Sequence, residues 1–142
     1  MPNMSLKSIA QKMRNLDIAS FTTVTKGGDL ATRPMSNNGD VEYDGNSYYF
    51  TFDKSRIVAD IEDNPRVGLA FEGADELYVA VSGTAELIRD KSEFEAHWVP
   101  DLDKWFDQGA DTPGVVLVKV KAAHVKYWRG EESGEWDGEW AA

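Results

Sequence analysis

Residues 47–71 read "SYYFTFDKSRIVADIEDNPRVGLAF", and two periodicities meet inside them. "YYFTF" is aromatic and β-branched, with Tyr48, Phe50 and Phe52 alternating onto one face as a strand requires. From about Ser55 to Asp63 the apolar residues Ile57, Val58 and Ile61 recur at helical spacing. Pro65 disfavours helical geometry in Asn64, so the helix stops there and "RVGLAF" resumes as a strand. Lys54 and Arg56 fall in or beside the first helical turn, where the dipole favours acidic side chains.

Working outward, "EYDGNSYYFTF" reads as a hairpin with Asp44-Gly45 at its tip. Upstream, "IASFTTVT" is a strand, "KGGD" a turn tolerant of positive φ, and "LATRPMS" a second strand. Pro34 cannot donate to a ladder, which puts that strand at an edge or a bulge. Leu6, Ile9, Ala10, Met13 and Leu16 predict an amphipathic helix over Ser5–Leu16, with Ser5 as its cap.

Downstream, "ELYVAVSGTAEL" is a strand in which Ser82-Gly83 predicts a bulge or a close backbone approach. Asp90 and Glu93 resemble a capping box for a short helix through His97. Pro100 opens a further short helix carrying Leu102, Trp105 and Phe106, and "DTPG" turns into the long strand "VVLVKVKAAHVKYW", with an interruption expected near Ala122-Ala123. The segment "RGEESGEWDGEWAA" shows no periodicity. About six strands joined by hairpins and a few short helices, with no repeating helical crossover, predict a mainly β (α+β) fold: a small antiparallel barrel with helices packed outside it. The expected organisation is one domain over residues 1–130 and an acidic, Trp-containing tail over residues 131–142.

The 142 residues carry a formal charge of −10, which repels nucleic acid and anionic membranes over most of the surface. The absence of Cys excludes disulfides and thiol chemistry. With no signal-peptide pattern and no apolar span, the chain reads as cytoplasmic. In so acidic a protein an anion needs a local basic cluster. The start of the 55–63 helix offers unpaired N–H groups, the Ser55 hydroxyl and the Arg56 fork, and Arg33 could join them from the neighbouring strand. A plainer reading has Arg56 paired on the surface with Asp60, four residues on.

The stretch from Ala31 to Phe71, followed by "YVAVSGTAELIRD", "HWVPDLDKWF" and "VKYWRGE", resembles the pyridoxamine-5′-phosphate-oxidase-like family, more narrowly its general stress protein subgroup. The resemblance runs in order from about Leu6 to Gly130. It implies a six-stranded antiparallel Greek-key split barrel with short flanking helices, and a homodimer that holds FMN (or FAD) at the subunit interface. It also implies that Arg33 meets the FMN phosphate, that Pro34, Met35 and Ser36 run along the flavin ring, and that Phe50 and Thr51 lie beside it. Ser55 and Arg56 match the phosphate-binding Ser-Arg, and Trp128 matches an aromatic that covers the cofactor, often across the dimer.

Departures from the true vitamin B6 phosphate oxidases are specific. Lysines of those enzymes are replaced by Asn38 and Ile57, their Gln-Val-Arg by Tyr78-Val79-Ala80, and their C-terminal Arg-rich substrate segment has no counterpart after Trp128. Each lost charge-assisted contact is worth ~1.5–3 kcal/mol, so the resemblance does not extend to oxidation of pyridoxamine phosphate. What remains is an FMN-dependent oxidoreductase with an unknown small-molecule electron donor or acceptor, or a non-catalytic flavin-binding sensor or reservoir. Deazaflavin or haem binding, also seen in the family, is a third option. No side chain has the pattern of an obligate acid or base, so no catalytic residue is assigned. His97 and His124 lack partners at ligand spacing, so no metal site is assigned either. Asp101, Asp103, Asp107 and Asp111 match no calcium loop and read as a solvated face.

Overall fold

Among the described residues, alternation of apolar and polar side chains resolves into seven antiparallel strands: β1 (Ile18–Val24), β2 (Leu30–Ser36), β3 (Asn46–Phe52), β4 (Arg66–Glu72), β5 (Leu77–Ile88), β6 (Val115–Arg129) and β7 (Glu132–Asp137). The computed structural model describes residues 8, 11–12, 18–36, 45–73, 76–98 and 100–137. Of the helix expected over Ser5–Leu16, only Ser8, Gln11 and Lys12 fall among these, and all three are helical. Helix α1 spans Arg56–Asp63 and α2 spans Lys91–His97, with 3-10 turns at Pro100–Lys104 and Gly109–Asp111. No helix among the described residues is long and apolar enough to cross a membrane.

The strands follow the order β2-β1-β4-β5-β6-β3, and β7 also pairs with β6. Six of them curl into a half-barrel, the split-barrel arrangement expected from the sequence. Strand β6 is long enough to carry two partners along one edge: residues 115–121 pair with β3 and residues 124–129 with β7. Its other edge is covered by β5. The first arm of the hairpin expected around Asp44-Gly45 lies outside the described residues, and β3 pairs with β6. As Pro34 requires, β2 ends the strand order.

The bulge expected at Ser82-Gly83 is present. Ser82 pairs with His124 and Gly83 with Ala122, so Ala123 is the extra residue on β6. There the two backbones approach so closely that a Cβ on Gly83 would fall 1.9 Å from the Lys121 carbonyl oxygen. The interruption anticipated at Ala122-Ala123 is thus a bulge within a continuous strand. The segment without sequence periodicity contains β7, whose Trp136 stacks on Tyr127 and packs against the core.

Two apolar clusters hold the sheet. On the concave side Phe21, Tyr49, Leu69, Val81, Val118 and Tyr127 pack with Ile57, Val58 and Ile61 of α1. On the other side of β3 and the first half of β6, Phe50 and Leu117 pack with Phe94 of α2 and Phe106. Tyr48, Phe50 and Phe52 do share a face, and it is this second one: Tyr48 stacks on His97, Phe50 meets Phe94 and Trp98, and Phe52 meets Phe106. Asp90 caps α2 with its carboxylate accepting from the Ser92 N–H at 3.0 Å, while Glu93, the other half of the expected box, lies 3.7 Å from His97. Leu102 is half-buried, whereas Trp105 stays exposed.

Candidate functional site

The turn from β3 into α1 is fixed by backbone hydrogen bonds. The Asp53 N–H donates to the Gly114 carbonyl at 2.7 Å, and the Ser55 N–H donates to the Phe52 carbonyl at 2.9 Å. Ser55 occupies the cap position of α1 with extended backbone, yet its side chain caps no helical N–H. Its oxygen instead accepts from the Thr51 hydroxyl at 3.2 Å, which leaves its own O–H free to donate outward. No acid stands in the first turn of α1. Asp53, the nearest one before it, is turned to Arg89, which donates to it at 2.7 Å and lies 3.9 Å from Glu62. That hydrogen bond, followed by the Asp53 and Glu62 charges, raises the pKa of Arg89. Arg56 is exposed and has no ion pair among the described residues. The helix therefore begins with free amides, a hydroxyl donor and an uncommitted guanidinium, a donor set that fits a phosphate.

Arg33 approaches the same helix from the sheet. In register, Arg33 of β2 lies across from Phe21, which in turn pairs with Leu69, a row that faces the core. Its Nη1 donates to the Thr23 hydroxyl at 2.8 Å and to the Ala31 carbonyl at 3.1 Å. Its Nη2 stands 3.5 Å from Oδ2 of Asp60, which is 6% exposed. The same Asp60 oxygen accepts from the Thr23 hydroxyl at 2.7 Å. The surface pair between Arg56 and Asp60 does not form. Asp60 turns inward because it shares the apolar face of α1 with Ile57 and Ile61, at i+3 and i−1. The sequence reading named Asp60 only as a surface partner of Arg56 and did not single out Thr23; the place of Asp60 between two buried isoleucines was the available signal for its inward turn.

Thr51, Ser55 and Arg56 are thus gathered at the start of α1, and Arg33 reaches α1 one turn further on. The other expected contacts lie elsewhere. The Phe50 side chain is buried against Phe94 and Trp98, so only its backbone is on the Thr51 side. Met35 packs against the core and Pro34 is exposed on the opposite face of β2. Ser36 closes β2 opposite Ile18. Trp128 is 40% exposed and lies on the convex face of the sheet with Lys126, whose ammonium sits 4.9 Å from its ring. That face carries the register row Pro34, Ser20, Ala70, Ala80, Lys126 and Glu135, while Arg33 belongs to the row Phe21, Leu69, Val81, Val125 and Trp136. Within one chain the sheet stands between Arg33 and Trp128.

The two histidines have structural partners: His97 stacks on Tyr48, and His124 of β6 pairs with Asp137 of β7.

Comparison with known proteins places this geometry. Residues 5–136 match the family model described as pyridoxamine 5′-phosphate oxidase like. The chain belongs to this family. It is 28% identical over 138 residues to general stress protein 26 of Bacillus subtilis (strain 168), covering 91% of this chain and 94% of that protein. A Clostridium acetobutylicum protein related to general stress protein 26 superimposes with a TM-score of 0.80 at 18% identity, over 93% of each chain. A heme binding protein from Mycobacterium smegmatis gives 0.77 at 13% identity, over 97% of this chain and 60% of its own. Those two likenesses establish a shared fold.

Proposed function

We propose that the chain binds FMN and works as a flavin-dependent oxidoreductase of the general stress protein type, not as a pyridoxamine-phosphate oxidase. The observation that carries this reading is the start of α1: free amides, a Ser55 hydroxyl turned away from capping, and an exposed Arg56 with no ion pair among the described residues. In this assignment Ser55, Arg56 and Arg33 hold the phosphate. The ring lies along β2 at Pro34, Met35 and Ser36, with Thr51 and the Phe50 backbone beside it. Bound flavin supplies hydride or electron transfer, and the protein contributes position and electrostatics.

The separation of Arg33 from Trp128 by the sheet supports a homodimer in this reading, because only a second chain could bring a Trp128 to the same ligand. The convex face suits such a contact, with small residues Ser20, Ala70 and Ala80 in a row and Tyr78 beside Trp128 at its end. Both of these aromatic rings are exposed in the single chain.

Flavin titration of the wild type and of the Arg33→Ala/Arg56→Ala double variant tests the assignment. Losing two charge-assisted contacts of about 1.5–3 kcal/mol each should weaken FMN binding by more than about a hundredfold. Equal affinity in the two proteins refutes it. The absorbance spectrum of the purified protein separates flavin from haem, the ligand class of the mycobacterial neighbour. Anaerobic addition of NADH or NADPH then separates an enzyme from a non-catalytic flavin carrier, since the carrier's flavin would stay oxidised with every common donor.

A further inference from the structure

Asp60 is a buried acid placed directly behind one of the cations assigned to phosphate. Its Oδ2 takes the Thr23 hydroxyl at 2.7 Å, and its counter-charge is Arg33 at 3.5 Å. Thr23 links the two, donating to Asp60 and accepting from Arg33 at 2.8 Å. The Nη1 end of Arg33 is occupied by Thr23 and the Ala31 carbonyl, so the guanidinium is fixed in place with its charge largely offset from behind.

We propose that Asp60 sets the charge of this anion site, and thereby its selectivity among ligand tails. The inference rests on the phosphate assignment above and sharpens it. With Arg33 offset, the uncompensated positive charge at the site comes from Arg56, Lys54 and the start of α1. A doubly charged phosphomonoester such as that of FMN then gains less over a neutral ribityl tail than it would from three free cations. Unit charges roughly 6 Å apart at an effective dielectric of about 20 interact by the equivalent of about a hundredfold in affinity, and salt screening and partial exposure lower this to about tenfold.

Asp60→Asn keeps an acceptor for Thr23 and Arg33 while removing the charge. In flavin-fluorescence titrations at pH 7.5 it should raise the ratio of FMN to riboflavin affinity about tenfold and leave the riboflavin Kd within about twofold. Thr23→Val, which breaks the link but keeps the Asp60 charge, should leave that ratio within about twofold of wild type. Inorganic phosphate should raise the melting temperature of Asp60→Asn more than that of wild type, a readout that needs no flavin. If Asp60→Asn does not fold, Asp60→Ser carries the same measurements.

A ratio unchanged or lowered in the Asp60 variant overturns the inference. If wild type prefers FMN to riboflavin but the variant shows no gain, only this inference falls. If wild type binds neither flavin and phosphate gives no protection, the phosphate assignment falls and takes this inference with it.

Discussion

Gly83→Ala should cost more stability than any other glycine-to-alanine change described here, because it adds one methyl group where two backbones touch. The added Cβ would lie 1.9 Å from the Lys121 carbonyl oxygen, 2.9 Å from its carbon and 3.2 Å from Cα of Ala122. Those atoms are main chain and cannot rotate away, so β5 and β6 must separate by about an ångström at the bulge where β6 exchanges its partner β3 for β7. Overpacking of this kind costs typically 1–3 kcal/mol and here is placed at about 3. With a urea m-value of about 2 kcal/mol/M the midpoint should fall by about 1.5 M, and the melting temperature by roughly 10 °C. Gly27→Ala is the matched control. Its Cβ would meet nothing nearer than 3.9 Å, and the change should stay within about 0.5 kcal/mol. A Gly83→Ala midpoint indistinguishable from that of Gly27→Ala would show that the bulge tolerates a side chain, and that the register shift is not held by the close approach.

Two further changes test how the flanking segments are attached. Asp90→Ala removes the acceptor for the Ser92 N–H at the start of α2 and should lower stability by about 1 kcal/mol in urea unfolding, with Asp90→Asn recovering most of it. Trp136→Ala deletes the ring that stacks on Tyr127 at 5.8 Å and should cost about 2 kcal/mol, less than a fully buried Trp because this one is half-buried. Hydrogen exchange should then show faster exchange of the β6–β7 amides from His124 to Arg129 while the β1–β4 ladder keeps its protection. Uniform loss of protection across both ladders would mean that β7 is not a separable layer.

Features with a local physical cause were legible in the sequence. Pro34 marks an edge strand because it lacks a donor, Gly83 marks a bulge because only it fits, and Asn64-Pro65 ends α1 because the proline forbids its continuation. What stayed hidden depends on which way a side chain turns. Strand β7 has one large apolar residue, Trp136, with Ser133, Gly134 and charges around it, so its half-buried alternation leaves no apolar pattern to read. Its ladder with β6 and the stack of Trp136 on Tyr127 hold it, and the groups that flank them meet only through pairing: Lys126 with Glu135, and His124 with Asp137. In α1, four-residue spacing suggested a surface bond between Arg56 and Asp60, but helical periodicity also puts Asp60 between Ile57 and Ile61. The structure follows that second pattern. An acid drawn under the helix must find a cation or bear the cost of burial unpaired, and Arg33 on β2 is the one that reaches it. Among the described residues Arg56 has no ion pair for the same reason: the Asp60 carboxylate four residues on is occupied below. The single inward turn of Asp60 therefore both tethers one arginine of the candidate site and frees the other.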